Sequence, residues 1–309
     1  MGGMEPRVRA ALVGAIVAWA SAFAAVKYLL DAGFAGQDVA LARYAVALPG
    51  FAFLLVRAGG LPGLGLRDAA RVAAAGLIIV AGYQLSLNLG TAHTTAGMAA
   101  LVVALAPALT VLVAAALRYE PLTSRRVAGL ALAFAGVAVV VTLGSGASVS
   151  ASDAKGPLIV LGAPVAFALY SVLLKPLFAR YGAIQLTAAT SLVGTVGLLP
   201  FARPSSFESV AGATLGEAAL IVSLGLFSTL GAYVAWTKTL EAIGPARAAV
   251  WANAVPPLAV AFAALTLGET ITPWFAAGGA LVVGGVVLAQ RAGGAIRRPR
   301  LRPALAGAR

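Results

Sequence analysis

Cysteine is absent from the 309-residue chain, which excludes a disulfide framework, a thiol nucleophile and a thiolate metal site. Charge is almost as scarce. Only 10% of residues are charged, against about a quarter in a soluble domain, too few to clothe a water-facing surface. There is one histidine, His93, and no Asp or Glu lies inside a long apolar run. An intramembrane hydrolase, which needs a nucleophile and a base, is therefore a poor reading. A buried carboxylate relay, the usual proton-coupling device, is not evident either. No repeated filter or charged ring suggests a channel. The chemistry on view calls for no cofactor and no metal, and nothing is catalytic.

What remains is apolar. Hydrophobic residues make up 61% of the chain, and the mean hydropathy is +0.96. From Val72 to Leu117 there is no charged side chain, room for two membrane spans at roughly 20 residues each. The runs lack the alternation of barrel strands, so the chain is predicted to be an all-α integral membrane protein. Dividing it at charges, glycines and prolines predicts ten transmembrane helices, over 10–30, 39–57, 72–90, 95–117, 127–145, 157–178, 184–201, 218–238, 246–267 and 271–290. Arg7 and Arg9 ahead of the first run imitate a signal peptide, but the counterpart of that run, Leu158–Leu177, lies deep in the chain and argues for a retained helix.

The net charge of +12 would suit nucleic acid, but its placement suits a membrane. Basic residues stand singly between apolar runs and in a tail, 291–309, holding Arg297, Arg298, Arg300, Arg302 and Arg309. With the N-terminus in the cytoplasm, eighteen of the 22 basic residues fall inside and two, Lys155 and Arg203, outside. Such asymmetry predicts ten spans in the cell (inner) membrane with both termini cytoplasmic.

The chain also repeats itself. Glu120-Pro121-Leu122-Thr123 returns 149 residues later as Glu269-Thr270-Ile271-Thr272, Gly129 and Gly136 as Gly278 and Gly285, and Pro107 as Pro256. Gly14 and Lys27 match Gly162 and Lys175 at an offset of 148. Residues 10–145 and 157–290 then form two repeats of five helices. Five is odd, so the second enters the membrane the opposite way round, an inverted repeat.

Several segments resemble the drug/metabolite transporter superfamily, specifically ten-helix proteins with two EamA domains. They are Ala18-Trp19-Ala20-Ser21-Ala22-Phe23, Ala42-Arg43-Tyr44, Gly90-Thr91-Ala92 through Pro107 to Glu120, Gly129-Leu130 to Gly136-Val137, and Leu240-Glu241-Ala242-Ile243-Gly244-Pro245 on to Gly268-Glu269. The resemblance implies alternating-access export or exchange of small metabolites, often amino acids. It further implies a cavity lined by helices one to four and six to nine, with five and ten outside it. A drug-like or cationic solute, or import, is the runner-up.

Candidate residues follow from what a membrane interior tolerates. Pro107 and Pro256 each fall near the middle of a run, where a freed carbonyl suits a polar cavity, and they are read as hinges. Lys27 and Arg43 are the basic residues well inside spans, so either can face a substrate carboxylate or extend outward toward Asp31 and Asp38. Trp19, Phe23, Tyr83, Tyr170, Tyr233, Trp236 and Trp251, with Gln84, Asn88, Ser171 and Asn253, are candidates for lining an amphipathic site. Thr123 and Thr272 are placed to cap the helices that follow them. The stripes Gly129/Ala133/Gly136 and Ala276/Ala280/Gly284 suit close helix contact within a monomer or in a homodimer. Expected partners are a small-molecule substrate and the lipid bilayer, not nucleic acid.

Overall fold

The computed structural model describes residues 5–118, 122–144 and 151–291. Among them ten helices are long and apolar enough to cross a membrane: α1 Pro6–Asp31, α2 Gly36–Arg57, α3 Leu66–Thr91, α4 Ala96–Ala116, α5 Ser124–Leu143, α6 Ala154–Leu174, α7 Ala183–Phe201, α8 Leu215–Ile243, α9 Val250–Leu267 and α10 Pro273–Gln290. Number and order follow the sequence reading; several boundaries do not. Helix α3 starts at Leu66 rather than 72, because Asp68 and Arg71 pair within its first turns instead of ending it. Helix α8 runs five residues past Lys238, which stays exposed, to Gly244, whose φ of 78° stops the helix. A short helix, Pro204–Ala211, occupies what reads as a loop. Glu120 and the residues after Arg291 lie outside the described residues.

Two pairs of irregularities sit at matching places. Helix α4 breaks at Ala104–Leu105 and α9 at Asn253–Ala254. In the first, Leu105 N–H donates back to Val102 O; in the second, 149 residues on, Ala254 N–H donates to Trp251 O. Pro107 and Pro256 fall in the first turn of the helix that restarts, where a missing N–H costs nothing. They do not kink a continuous helix. The other pair are π-helical turns, Leu77–Gly82 in α3 and Leu224–Gly231 in α8. Such a turn takes up an inserted residue, and Gly76 matches Gly225 at 149 residues while Tyr83 matches Tyr233 at 150. The slip in register is absorbed there.

The halves contact each other reciprocally. A β-carbon added to Gly129 would lie 2.6 Å from Gly285 O, and one on Gly136 2.6 Å from Gly278 O; shifting either contact by 149 residues gives the other. Helices α5 and α10 thus pack backbone to backbone, as small residues allow. The partners on α10 are Gly278, Val282, Gly285 and Ala289. The expected stripe Ala276, Ala280 and Gly284 faces outward, exposed, because the face that meets α5 is set by glycine's close approach. The α5 stripe is consumed inside the chain, leaving none of it for a dimer. Likewise Gly76 of α3 abuts Thr190 and Gly194 of α7, as Gly225 of α8 abuts Arg43 and Val46 of α2.

The same exchange links the ends of the bundle. Ser206 donates to the buried Asp38 carboxylate at the start of α2. At the start of α7, Gln185 donates to Ala58 O and Gly60 O, at 2.8 and 2.6 Å. A shift of 148 residues carries the pair 38 and 206 onto 186 and 58. Thr123 and Thr272 cap α5 and α10 through Arg126 N–H and Phe275 N–H. Glu269 acts on a different helix from the one it precedes. Its carboxylate accepts from Ala96 N–H at 2.6 Å and Gly97 N–H at 3.0 Å, capping α4 across the two halves.

Candidate functional site

Helices α2, α3 and α8 bring polar side chains together inside the bundle. Arg43 lies two turns into α2 and is 5% exposed. Its Nε donates to Thr229 Oγ1 of α8 at 2.9 Å, and Nη1 makes a long contact of 3.5 Å to Gln84 Oε1 of α3. Gln84 Nε2 donates to the Tyr44 hydroxyl at 3.2 Å. Thr229, fully buried, sits in the π turn, and its hydroxyl donates to Leu224 O, five residues back, at 2.9 Å. No carboxylate approaches Arg43 within ion-pairing distance among the described residues. A charge held in apolar surroundings on neutral partners alone is costly, and such groups mark functional sites by default.

Aromatic rings wall this centre. Tyr44 and Tyr233 lie within electrostatic reach of each other and of both Tyr83 and Tyr170, and Arg43 within reach of Tyr44, Tyr83 and Tyr233. The Arg43 guanidinium stands 6.0 Å from the Tyr44 ring centroid. Trp19 of α1 meets Tyr233 edge-on at 5.9 Å and Trp236 at 5.4 Å, and Phe51 approaches Tyr233 at 6.5 Å. Below them an apolar cleft of about 390 Å³ opens between α1, α2 and α8, with Lys238 on its lining. A smaller pocket against Phe51 and Tyr233 shares Leu54 and Val234 with it.

Of the residues singled out in the sequence, Arg43, Tyr83, Gln84, Tyr170, Tyr233, Trp19 and Trp236 therefore converge. Phe23 is buried in the apolar cluster that also holds Met98 and against which Tyr83 and Phe262 pack. Arg43 turns inward rather than toward Asp38, whose carboxylate is taken by Ser206. Lys27 does the opposite: its ammonium pairs with Asp31 one turn on, at 2.5 Å, near the helix end, where a lysine reaches water most cheaply. Asn88 is fully buried and clamps α3 to α2, donating to Gly36 O at 2.9 Å. Asn253 donates to Gln290 Oε1 of α10 at 3.0 Å. Trp251 contributes its carbonyl to the helix break. These four stand apart from the Arg43 centre. Tyr44 and Thr229 belong to it without having been singled out. Tyr44 follows Arg43 directly, and the only signal for Thr229 is the pair of hydroxyls Ser228-Thr229 in mid-span. No group of three or more potential metal ligands occurs among the described residues.

Comparison with known proteins fits this architecture. The model of the EamA-like transporter family matches the chain twice, over residues 9–142 and 154–290. The chain belongs to the EamA-like transporter family. It is 35% identical over 283 residues to a "probable terminal-alkyne amino-acid exporter" of Streptantibioticus cattleyicolor, covering 91% of this chain and 92% of that protein. It is 32% identical to an uncharacterized transporter of Archaeoglobus fulgidus, covering 88% and 95%. A solved crystal structure 22% identical in sequence shares the fold, with a TM-score of 0.60 over 91% of this chain and 96% of that one. The protein is thus a multi-pass membrane transporter rather than an enzyme, acting on small-molecule substrates.

Proposed function

We propose that this EamA-family member exports amino acids or related carboxylated metabolites from the cytoplasm by alternating access. It sits in the plasma membrane with both termini cytoplasmic and its two halves inverted, and the breaks beside Pro107 and Pro256 serve as hinges. The observation that carries the reading is Arg43, a buried guanidinium with neutral partners inside an aromatic wall. A substrate carboxylate supplies the missing countercharge, and charge-assisted hydrogen bonds of this kind are worth about 1.5–3 kcal/mol. The Streptantibioticus relative, a probable amino-acid exporter, points to the same substrate class. Asp38 and Asp68, the buried acids of the described spans, lie in first helical turns and are already engaged, Asp38 by Ser206 and Asp68 by Arg71 and Arg180. Exchange or facilitated diffusion therefore suits the chain better than proton coupling.

Counterflow in proteoliposomes against single amino acids and their decarboxylated amines tests this. Amino acids are expected to exchange and the amines not. Arg43→Ala should raise the half-saturating concentration at least about tenfold, the equivalent of 1.4 kcal/mol. Unchanged amino-acid exchange by Arg43→Ala removes Arg43 from recognition. Transport of the amines alone shifts the assignment to a cationic solute.

A further inference from the structure

Arginine has two edges on which to grip a carboxylate: the side edge, through Nε and one terminal nitrogen, and the end, through both terminal nitrogens. In this chain the side edge is spent. Nε of Arg43 donates to Thr229 Oγ1 at 2.9 Å. Nη1 has only the 3.5 Å contact to Gln84, at the limit of a hydrogen bond. Nη2 has no hydrogen-bond partner among the described residues and is not one of the polar atoms sealed away without one. The end of the guanidinium is therefore the edge left for a ligand.

Thr229 holds that orientation because its own hydroxyl is fixed. The proton goes to Leu224 O at 2.9 Å, five residues back in the π turn Leu224–Gly231, which leaves the oxygen's lone pair directed at Arg43. In an α-helical register a threonine hydroxyl donates to the carbonyl four residues back, as Thr91 does to Leu87 O; the π turn makes Leu224, five back, the acceptor instead. The π turn, the threonine and the arginine form one chain of donors and acceptors, and its equivalent in the other half is absent: Val80 stands 149 residues before Thr229, and Ser191 stands 148 after Arg43. The recognition element is thus built once, across α2 and α8.

We propose that Thr229 is a positioning residue that locks Arg43 side-on to the protein so that it binds the substrate carboxylate end-on. This rests on the assignment of Arg43 to the carboxylate and adds which residue orients it. The test is counterflow of an amino acid exchanged by the wild type, using Thr229→Val, Thr229→Ser and Arg43→Ala, with thermal unfolding measured on each purified protein. Thr229→Val keeps the shape and removes the hydroxyl. It is expected to raise the half-saturating concentration about tenfold with little change in maximal rate or melting temperature, while Thr229→Ser stays within about twofold of wild type. A Thr229→Val protein with wild-type half-saturation overturns the proposal, as does a Thr229→Ser protein as impaired as Thr229→Val. If Thr229→Val misfolds, serine against Thr229→Ala decides on the same criterion. Should Arg43→Ala leave exchange intact, it is the carboxylate assignment that fails; should Arg43→Ala abolish it and Thr229→Val not, only the positioning role does.

Discussion

At the scale of single residues, the chain treats its few charges in two ways. Those near helix ends are neutralised by a neighbour, as Lys27 is by Asp31 and Asp68 by Arg71 and Arg180. Arg43 alone of the basic residues singled out is carried inward onto neutral groups. Sequence reasoning ranks Lys27 and Arg43 together because depth along a run is all it sees. The difference lies in where partners stand: Asp31 is one helical turn from Lys27, whereas Asp38, five residues before Arg43, is held by Ser206 of the short helix Pro204–Ala211. Glu269 shows the same blindness, since its Thr-capped neighbourhood suggests a local role while its oxygens serve the first two amides of α4. Glu269→Ala should therefore destabilise α4 rather than α10, by about 1–2 kcal/mol, the ordinary cost of losing a helix cap. Hydrogen exchange at residues 96–100 would rise selectively in the variant; faster exchange confined to 273–277 would contradict the assignment.

At the scale of helices, the duplicated glycines were legible as close-packing signals, and one of the two stripes was legible as the contact face. The α10 face was not, because Ala276, Ala280 and Gly284 have helical spacing as good as that of Gly278 and Gly285, and only the partner's backbone distinguishes them. The π turns were invisible for a related reason: hydrogen-bond register leaves no mark on composition, and only the one-residue slip between Tyr83 and Tyr233 betrays it. The prolines were read as a pair of mid-helix hinges; each instead falls in the first turn of a new helical segment. These contacts make a graded prediction. A methyl on Gly136 meets Gly278 O and Val282 N at 2.6 Å, backbone atoms that move only if the helices part. Gly136→Ala is expected to cost about 1–3 kcal/mol, as overpacking does. Gly284→Ala, with nothing within 4 Å of its added carbon, should be nearly silent. Thermal unfolding in detergent separates the two, and equal effects would refute the α5–α10 interface as described.

At the scale of the molecule, the reciprocal contacts and the odd number of helices per repeat lead to one arrangement. Asp38–Ser206 and Gln185–Ala58 are mates under the repeat to within one residue, and the proposed inverted topology sets them on opposite sides of the membrane. Both contacts are made in this structure. Alternating access then requires each to open in turn, so holding either one shut must stop the cycle. The absence of native cysteine makes this directly measurable. In Asp38→Cys/Ser206→Cys and in Ala58→Cys/Gln185→Cys, a bifunctional thiol reagent with a cleavable linker should abolish exchange, and cleavage should restore it. The single variants Glu208→Cys and Arg67→Cys supply the sidedness: an impermeant thiol reagent added to intact cells is expected to label the first and spare the second. Labelling of both from outside would place the two repeats in the same orientation. Continued exchange with either clamp cross-linked would mean that the halves do not move against each other at these contacts.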